Sequence, residues 1–225
     1  AMNNPVFNSQ DLRHQWVAAG LMVAFFAIAP YFIYPVFLMK VMCFALFACA
    51  FNLLLGFGGL LSFGHAMFFG TSGYAAAHAA KVWGLTPELS VLFATLCATV
   101  LAWVVGLLAI RRQGIYFAMI TLALSQMVFF VYLQTPFTGG EDGIQGVPHG
   151  HLFELIDLNN EAAMYVFVMA IFLLGFGLVW RIVHSPFGQV LKAIRENEQR
   201  ASFIGYETVK YKLIAFVLSA TITGL

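Results

Sequence analysis

The sequence predicts an all-α fold: a polytopic helical membrane protein of about seven or more transmembrane helices. Three observations predict it. Of the 225 residues, 61% are hydrophobic and only 9% charged, with a mean hydropathy of +0.87. A soluble domain carries roughly 25% charge, so this chain cannot cover a water-facing surface. The apolar residues also fall in blocks of about 20, the length that crosses ~30 Å of hydrocarbon at ~1.5 Å per residue. Finally, Lys and Arg segregate. With the N-terminus inside, Arg13, Arg111, Arg112, Arg181, Lys192, Arg195, Arg200, Lys210 and Lys212 are cytoplasmic, and only Lys40 and Lys81 are outside, a positive-inside pattern.

The blocks follow in order. The first spans 15–37; Arg13 is the only basic residue before it and no small-residue cleavage site follows, so it reads as a membrane helix rather than a leader. The second spans 38–61 and ends among Gly56, Gly58 and Gly59. The third, 62–80, carries three glycines, His65 and several hydroxyls near its start. One reading is tight packing through Ala66, Gly70, Gly73 and Ala77; the other is a broken helix whose freed backbone lines a substrate path. The break is carried forward as the expectation. Blocks four and five span 88–110 and 115–135.

Between the fifth and sixth blocks, 137–160 forms an external loop with Glu141, Asp142, Glu154 and Asp157 and no Lys or Arg. Its length and Gly/Pro-rich start predict a structured cap, with Gly139, Gly140 and Asp142 as its candidate residues. The sixth block spans 161–183. A polar island, 184–212, then interrupts the apolar pattern before a last block starts at Leu213, which is expected to continue past Leu225. The chain from 1 to 225 reads as one transmembrane domain.

The island is the most informative segment. Phe187, Val190, Leu191 and Ile194 recur at helical spacing while Lys192, Arg195, Glu196 and Gln199 point elsewhere. Ser185-Pro186 is a cap followed by a first-turn proline, and Gly205 supplies a stop. A basic helix on anionic headgroups is one reading. The mixture of Glu196 and Glu198 with Arg195 and Arg200 weakens lipid attraction and suits a protein groove.

Several chemistries are excluded or disfavoured. Charges spread by topology give no nucleic-acid patch. Cys43, Cys49 and Cys97 lie in apolar blocks and read as small hydrophobes. The His149-x-His151 pair has no further ligand spacing around it, so no metal is expected. Gly70-Thr71-Ser72-Gly73 resembles an intramembrane serine-protease motif but lacks a histidine on a partner helix to activate the serine. No GxxxxGK[ST] is present, so the chain does not bind ATP by a P-loop. No carboxylate is placed at mid-membrane, which argues against proton- or sodium-driven transport. Polar residues within or beside the spans are costly unless they face a cavity or another helix. Asn52, Ser62, Gly64, His65, Tyr116, Thr121 and Gln126 are therefore candidate translocation-path residues.

Four stretches occur in a telling order: NLLLGFGGLLSFGHAMFFGTSGY (52–74), RRQGIYFAMITLALSQM (111–127), TGGEDGI (138–144) and SPFGQVLKAIRENEQRASFIGYETVKYKLIAFVLSA (185–220). Together they resemble the permease subunits of branched-chain amino acid ABC importers, the LivM type. The resemblance covers the chain from about Phe51 onward. It implies a multi-pass permease of the bacterial inner membrane that pairs with a second homologous permease, two ATPase subunits and a periplasmic substrate-binding protein. ATP and Mg would sit on the ATPase, and this chain would bind no cofactor and catalyse nothing. The resemblance makes 184–212 the coupling loop, with Phe187, Leu191, Arg195, Glu196, Glu198, Arg200, Ala201 and Gly205 as candidate contacts. The general importer pattern there is EAA, three residues, then Gly; here Gln199 stands in the Glu position, Glu198 precedes it, and the Ala201-to-Gly205 spacing holds. Relatives carry aliphatic amino acids, urea, short amides or aromatic acids. The alternative class is a passive channel for a small neutral solute such as urea, which would not need the island.

Overall fold

A computed structural model describes residues 9–112, 114–147, 151–152, 156–157 and 160–225. Its helices are α1 (Ser9–Ile28), α2 (Pro35–Asn52), α3 (His65–Lys81), α4 (Pro87–Ala109), α5 (Ile115–Gln134), α6 (Glu161–Val183), α7 (Pro186–Glu196), α8 (Glu198–Phe203) and α9 (Thr208–Thr223). Prolines open α2, α4 and α7, where a missing N–H is no loss. Asn160 caps α6 by accepting from Ala162 N at 3.1 Å.

Among the described residues, four helical stretches are long and apolar enough to cross a membrane: Pro35–Phe57, Pro87–Ala109, Ile115–Gln134 and Glu161–Val183. This is fewer than the seven expected. Helices α3 and α9 have 17 and 16 residues, and the described apolar stretch of the first helix is Gly20–Tyr31. The last helix also starts at Thr208, five residues ahead of the expected Leu213, so Lys210 and Lys212 belong to it.

The side chains pack into two cores. In one, Phe68, Ala98, Ala102, Val105, Phe117 and Phe216 join α3, α4, α5 and α9. In the other, Phe26, Met42, Leu46, Tyr165, Phe172 and Ile222 join α1, α2, α6 and the end of α9. Helix α9 is the shared element. It lies along α4, whose buried face repeats Ser90, Ala94, Ala98, Ala102 and Gly106 every fourth residue. Small side chains at that spacing let two backbones approach, and Thr99 Oγ1 reaches Thr221 Oγ1 at 2.8 Å across the seam. The exposed edge of α4, with Leu92, Leu96, Val100 and Trp103, faces outward, as a lipid-facing surface does.

The break expected in the third segment lies at its start. Helix α2 runs on through a π turn, Leu53–Phe57, residues 58–64 are non-helical, and α3 is then uninterrupted. Gly70 and Gly73 sit within α3 with open space where a Cβ would stand, so they neither break the helix nor form a tight contact here.

Segment 137–160 forms short turns where it is described. Short 3-10 turns cover Pro136–Thr138 and Gly140–Asp142 around Gly139 at φ +78°. Phe137 stacks on His78 at 3.7 Å, and Lys81 Nζ donates to Gln145 O at 2.6 Å. A two-residue antiparallel pair, β1 (His151–Leu152) with β2 (Ile156–Asp157), is a minor addition to the all-α expectation. His149 and Glu154, and the side chains of Glu141, His151 and Asp157, lie outside the described residues.

Candidate functional site

The 184–212 loop is built from two short helices. Ser185 starts α7 by accepting from Gly188 N at 3.4 Å and donating to Ile182 O at 2.6 Å. Leu191 is fully buried and Ile194 nearly so, and α7 packs against α6, α9 and the π turn. The apolar face read as a docking surface is thus turned onto the chain itself. Phe187 is half-buried and stacks on Tyr211 at 5.7 Å. Of the candidates on α7, Arg195 and Glu196 are exposed.

Asn197 separates the two helices in an extended conformation and caps α8 through Arg200 N at 2.9 Å. Helix α8 then ends in a Schellman motif. Tyr206 N donates to Ala201 O at 3.2 Å, Gly205 N donates to Ser202 O at 3.0 Å, and Gly205 takes φ +100°. These are the 6→1 and 5→2 bonds of that cap. The alanine-to-glycine spacing therefore has a structural reason: Ala201 and Gly205 are the two ends of one helix stop. Ala201 is buried beneath it.

After the stop the chain reverses, so α8 and α9 form a helical hairpin. Lys212 Nζ meets Glu198 Oε2 at 2.6 Å, with Lys212 only 8% exposed. The acid one position before Gln199 is thereby engaged within the chain. Gln199 and Arg200 remain exposed.

A second contact joins the loop to the membrane helices. Arg195 Nη1 donates to the carbonyl of Gly56 in the π turn, and Lys192 Nζ lies 5.2 Å from the centre of the Phe57 ring. Gly59 adopts φ +67°, and a Cβ there would sit 2.7 Å from Arg195 Cγ. Only glycine accepts both demands. A cleft of about 350 Å³ between the π turn and α7 is lined by Asn52, Gly56, Phe57, Lys192, Arg195 and Glu196.

The path candidates divide. Ser62, Gly64, His65 and Thr121 come together in one buried knot at the break. Thr121 Oγ1 accepts from Phe63 N at 3.2 Å and donates to Ala118 O at 2.9 Å. Gly64 N donates to Ser62 Oγ at 3.3 Å. These bonds satisfy backbone groups that the break frees, as a membrane interior requires. His65 Nε2 is 2.8 Å from Ser219 Oγ, which donates to Ala50 O. Because the serine proton goes to that carbonyl, the histidine must donate from Nε2. Its ring is ringed edge-on by Phe47, Phe51, Phe68 and Phe216 at 5.6–6.3 Å. Asn52, Tyr116 and Gln126 instead face outward, away from the knot.

Three residues outside the sequence candidates join these contacts: Ser219, Asn197 and Lys212. Ser219 carries a signal in the sequence, a hydroxyl in an apolar helix; Lys212 falls in the stretch that the sequence presents as a polar loop. Among the described residues no group of acidic, histidine or cysteine side chains has metal-site geometry. Gly139 and Gly140 shape the turn that follows α5, and Asp142 is exposed on it.

A family model described as branched-chain amino acid transport system / permease component matches residues 33–225. The chain is 26% identical over 196 residues to the high-affinity branched-chain amino acid transport system permease protein LivM of Escherichia coli strain K12, and likewise to that of Salmonella typhimurium strain LT2. Each match covers 77% of this chain and 46% of the relative, so the chain spans about half the length of the curated relatives it matches. No solved structure matches.

Proposed function

Because the chain belongs to the family of permease components of branched-chain amino acid transport systems, we propose that it is one of two related permease subunits of an ATP-driven importer. In this reading the N-terminus is cytoplasmic, the membrane is the bacterial inner membrane, and a periplasmic binding protein delivers substrate to the external loop. Two ATPase subunits hold ATP and Mg. The substrate is a branched-chain amino acid, with selection resting on the binding protein.

The observation that supports the reading is the double attachment of the 184–212 loop. Arg195 of α7 ties it to the π turn before α3, and Glu198 of α8 ties it to Lys212 of α9. A push on the loop is thereby delivered both to the break and to α9, which meet at the buried knot. A channel has no use for such a lever. The mechanism needs two packed arrangements of these helices, biased by nucleotide on the partner.

The test is reconstitution of the chain with its cognate second permease, ATPase and binding protein in liposomes. ATP-dependent uptake of leucine, isoleucine and valine is expected, with urea and aromatic acids as competitors. Solute flux through the chain without ATPase would favour the passive channel and overturn the importer.

A further inference from the structure

His65 is paired through one nitrogen only. Its Nε2 donates to Ser219, and its Nδ1 meets no hydrogen-bond partner among the described residues. With the proton on Nε2, Nδ1 is a bare acceptor. The residue is 2% exposed, so bulk solvent does not cover that nitrogen. A second proton on Nδ1 would leave an imidazolium among phenylalanine rings, and no described carboxylate forms an ion pair with it. That is costlier than the bare acceptor. Buried acceptors left alone are rare and destabilising, so this one marks a place where a donor arrives.

A cavity lies one helical turn away. It encloses about 240 Å³ and is lined by Leu46, Phe69, Ser72, Ile171, Phe172 and Thr223, among others. On three helices its lining stands four positions from the His65 joint: Leu46 from Ala50, Phe69 from His65, and Thr223 from Ser219. Four helical residues rise about 6 Å, a distance that a leucine side chain plus one N–H···N hydrogen bond covers.

The chemistry of the two features agrees. No Lys or Arg lines the cavity, and its polar groups include the hydroxyls of Ser72 and Thr223. Ser72 donates to Phe69 O at 2.9 Å and Thr223 to Ser219 O at 2.9 Å, so each offers lone pairs alone. An apolar cavity of about 150 Å³ already admits benzene, so a branched aliphatic side chain has room here.

We propose that the cavity and His65 form a waypoint for the transported solute, in which the cavity takes a branched aliphatic side chain and Nδ1 accepts from the α-ammonium. The inference rests on the importer reading. It gives the permease its own check on the solute, beyond that of the binding protein: a head that donates N–H and a tail that fills the cavity. Phe47 is the ring that turns aside between them. It is half-buried and packs on Phe69 at 5.8 Å and on His65 at 6.3 Å.

The experiment uses the complete importer, this chain with its cognate second permease, ATPase and binding protein, in liposomes. H65Q keeps a polar atom at the Nε2 position for Ser219 and removes Nδ1. H65N keeps one at the Nδ1 position and gives up Ser219. The thermal midpoint should stay near the unmodified value in H65Q and fall in H65N. Leucine uptake should rank the other way, dropping at least tenfold in H65Q and only a few-fold in H65N. Uptake that follows the midpoint instead would make His65 a structural joint alone and overturn the waypoint. I171F fills the cavity from α6 and should lower leucine uptake several-fold more than valine uptake; equal losses would overturn the side-chain assignment. Nitrogen NMR of the histidine-labelled complex reads Nδ1 directly. A hydrogen-bonded shift before leucine is added would mean that a trapped water pairs it, which also overturns the waypoint. No ATP-dependent uptake by the unmodified complex would overturn the importer reading itself, and the waypoint with it.

Discussion

Arg195, on the last turn of α7, donates a hydrogen bond to the carbonyl of Gly56, in the π turn that ends α2. The two residues are 139 apart in sequence. The bond joins the 184–212 loop to the point where the chain leaves helical geometry and enters the segment that leads to His65. The π turn gives Gly56 a carbonyl that an unbroken helix would commit to its own ladder. A bond to a charged donor at such a site is worth about 1.5–3 kcal/mol.

Arg195→Met isolates that bond, since methionine keeps much of the stem over Gly59 and removes the donor. The variant should insert, fold and recruit partners normally because Arg195 is exposed. Uptake should fall about tenfold or more, with ATP hydrolysis no longer stimulated by the loaded binding protein. Coupled uptake at the unmodified rate would show that the contact carries no force. Gly59→Ala should reproduce the defect from the other side, because its φ of +67° and its closeness to Arg195 Cγ both oppose a Cβ.

Gly205 makes a separable prediction. At φ +100° an L side chain is strained, by about 1–2 kcal/mol in the left-handed region. Open space surrounds it, so the cost is conformational rather than steric. Gly205→Asn should therefore be milder than Gly205→Val, since asparagine tolerates positive φ and a β-branched residue does not. Limited proteolysis within 197–207 should rank the variants in that order. Equal protection in both would mean the Schellman cap does not hold the hairpin.

Much of this loop was legible in the sequence, and the misreadings have physical causes. Ser185-Pro186 marked the helix start and Gly205 the stop, because caps are local chemistry. The apolar stripe of Phe187, Leu191 and Ile194 announced a buried face, but periodicity tells that a face is covered and not by what. Here the cover is the chain's own π turn, sixth helix and last helix. Lys210 and Lys212 were read as loop because they are charged, yet each finds a carboxylate, Glu207 and Glu198, and the helix runs through them. The membrane knot was legible in part. Ser62, His65 and Thr121 stand out as polar groups in apolar runs, whereas Thr121 and His65 meet Phe63 and Ser219 across 58 and 154 residues. The glycine-rich sequence signals a break without fixing its place: helical geometry is lost over 58–64, whereas Gly70 and Gly73 are tolerated inside α3.

The Glu198–Lys212 pair should respond asymmetrically to substitution. Lys212 is 8% exposed and Glu198 26%. Glu198→Ala strands a buried ammonium, and losing one partner of a buried pair costs up to about 3–5 kcal/mol. Lys212→Met leaves a carboxylate that reaches water and can rehydrate, so its cost should be smaller. Thermal unfolding in detergent should place Glu198→Ala below Lys212→Met. The exchanged pair, E198K with K212E, should recover part of the loss. The reverse ranking would mean that the salt bridge does not hold α8 to α9.

The His65–Ser219–Ala50 chain predicts non-additivity. In Ser219→Ala, His65 loses its one acceptor among the described residues inside a ring of phenylalanines. A buried donor left unpaired costs about 1–3 kcal/mol. Replacing both partners by apolar groups removes the penalty's source, since no donor is left to desolvate. His65→Phe with Ser219→Ala should thus be less destabilised than the sum of the two single variants, and His65→Phe keeps the edge-to-face ring contacts that a smaller residue would lose. A double-mutant cycle read by thermal unfolding in detergent measures the coupling directly. A coupling near zero would mean that the hydrogen bond contributes nothing and that the aromatic cage alone holds α2, α3 and α9 together. A coupling of about 1 kcal/mol or more identifies the serine as the joint between the last helix and the break.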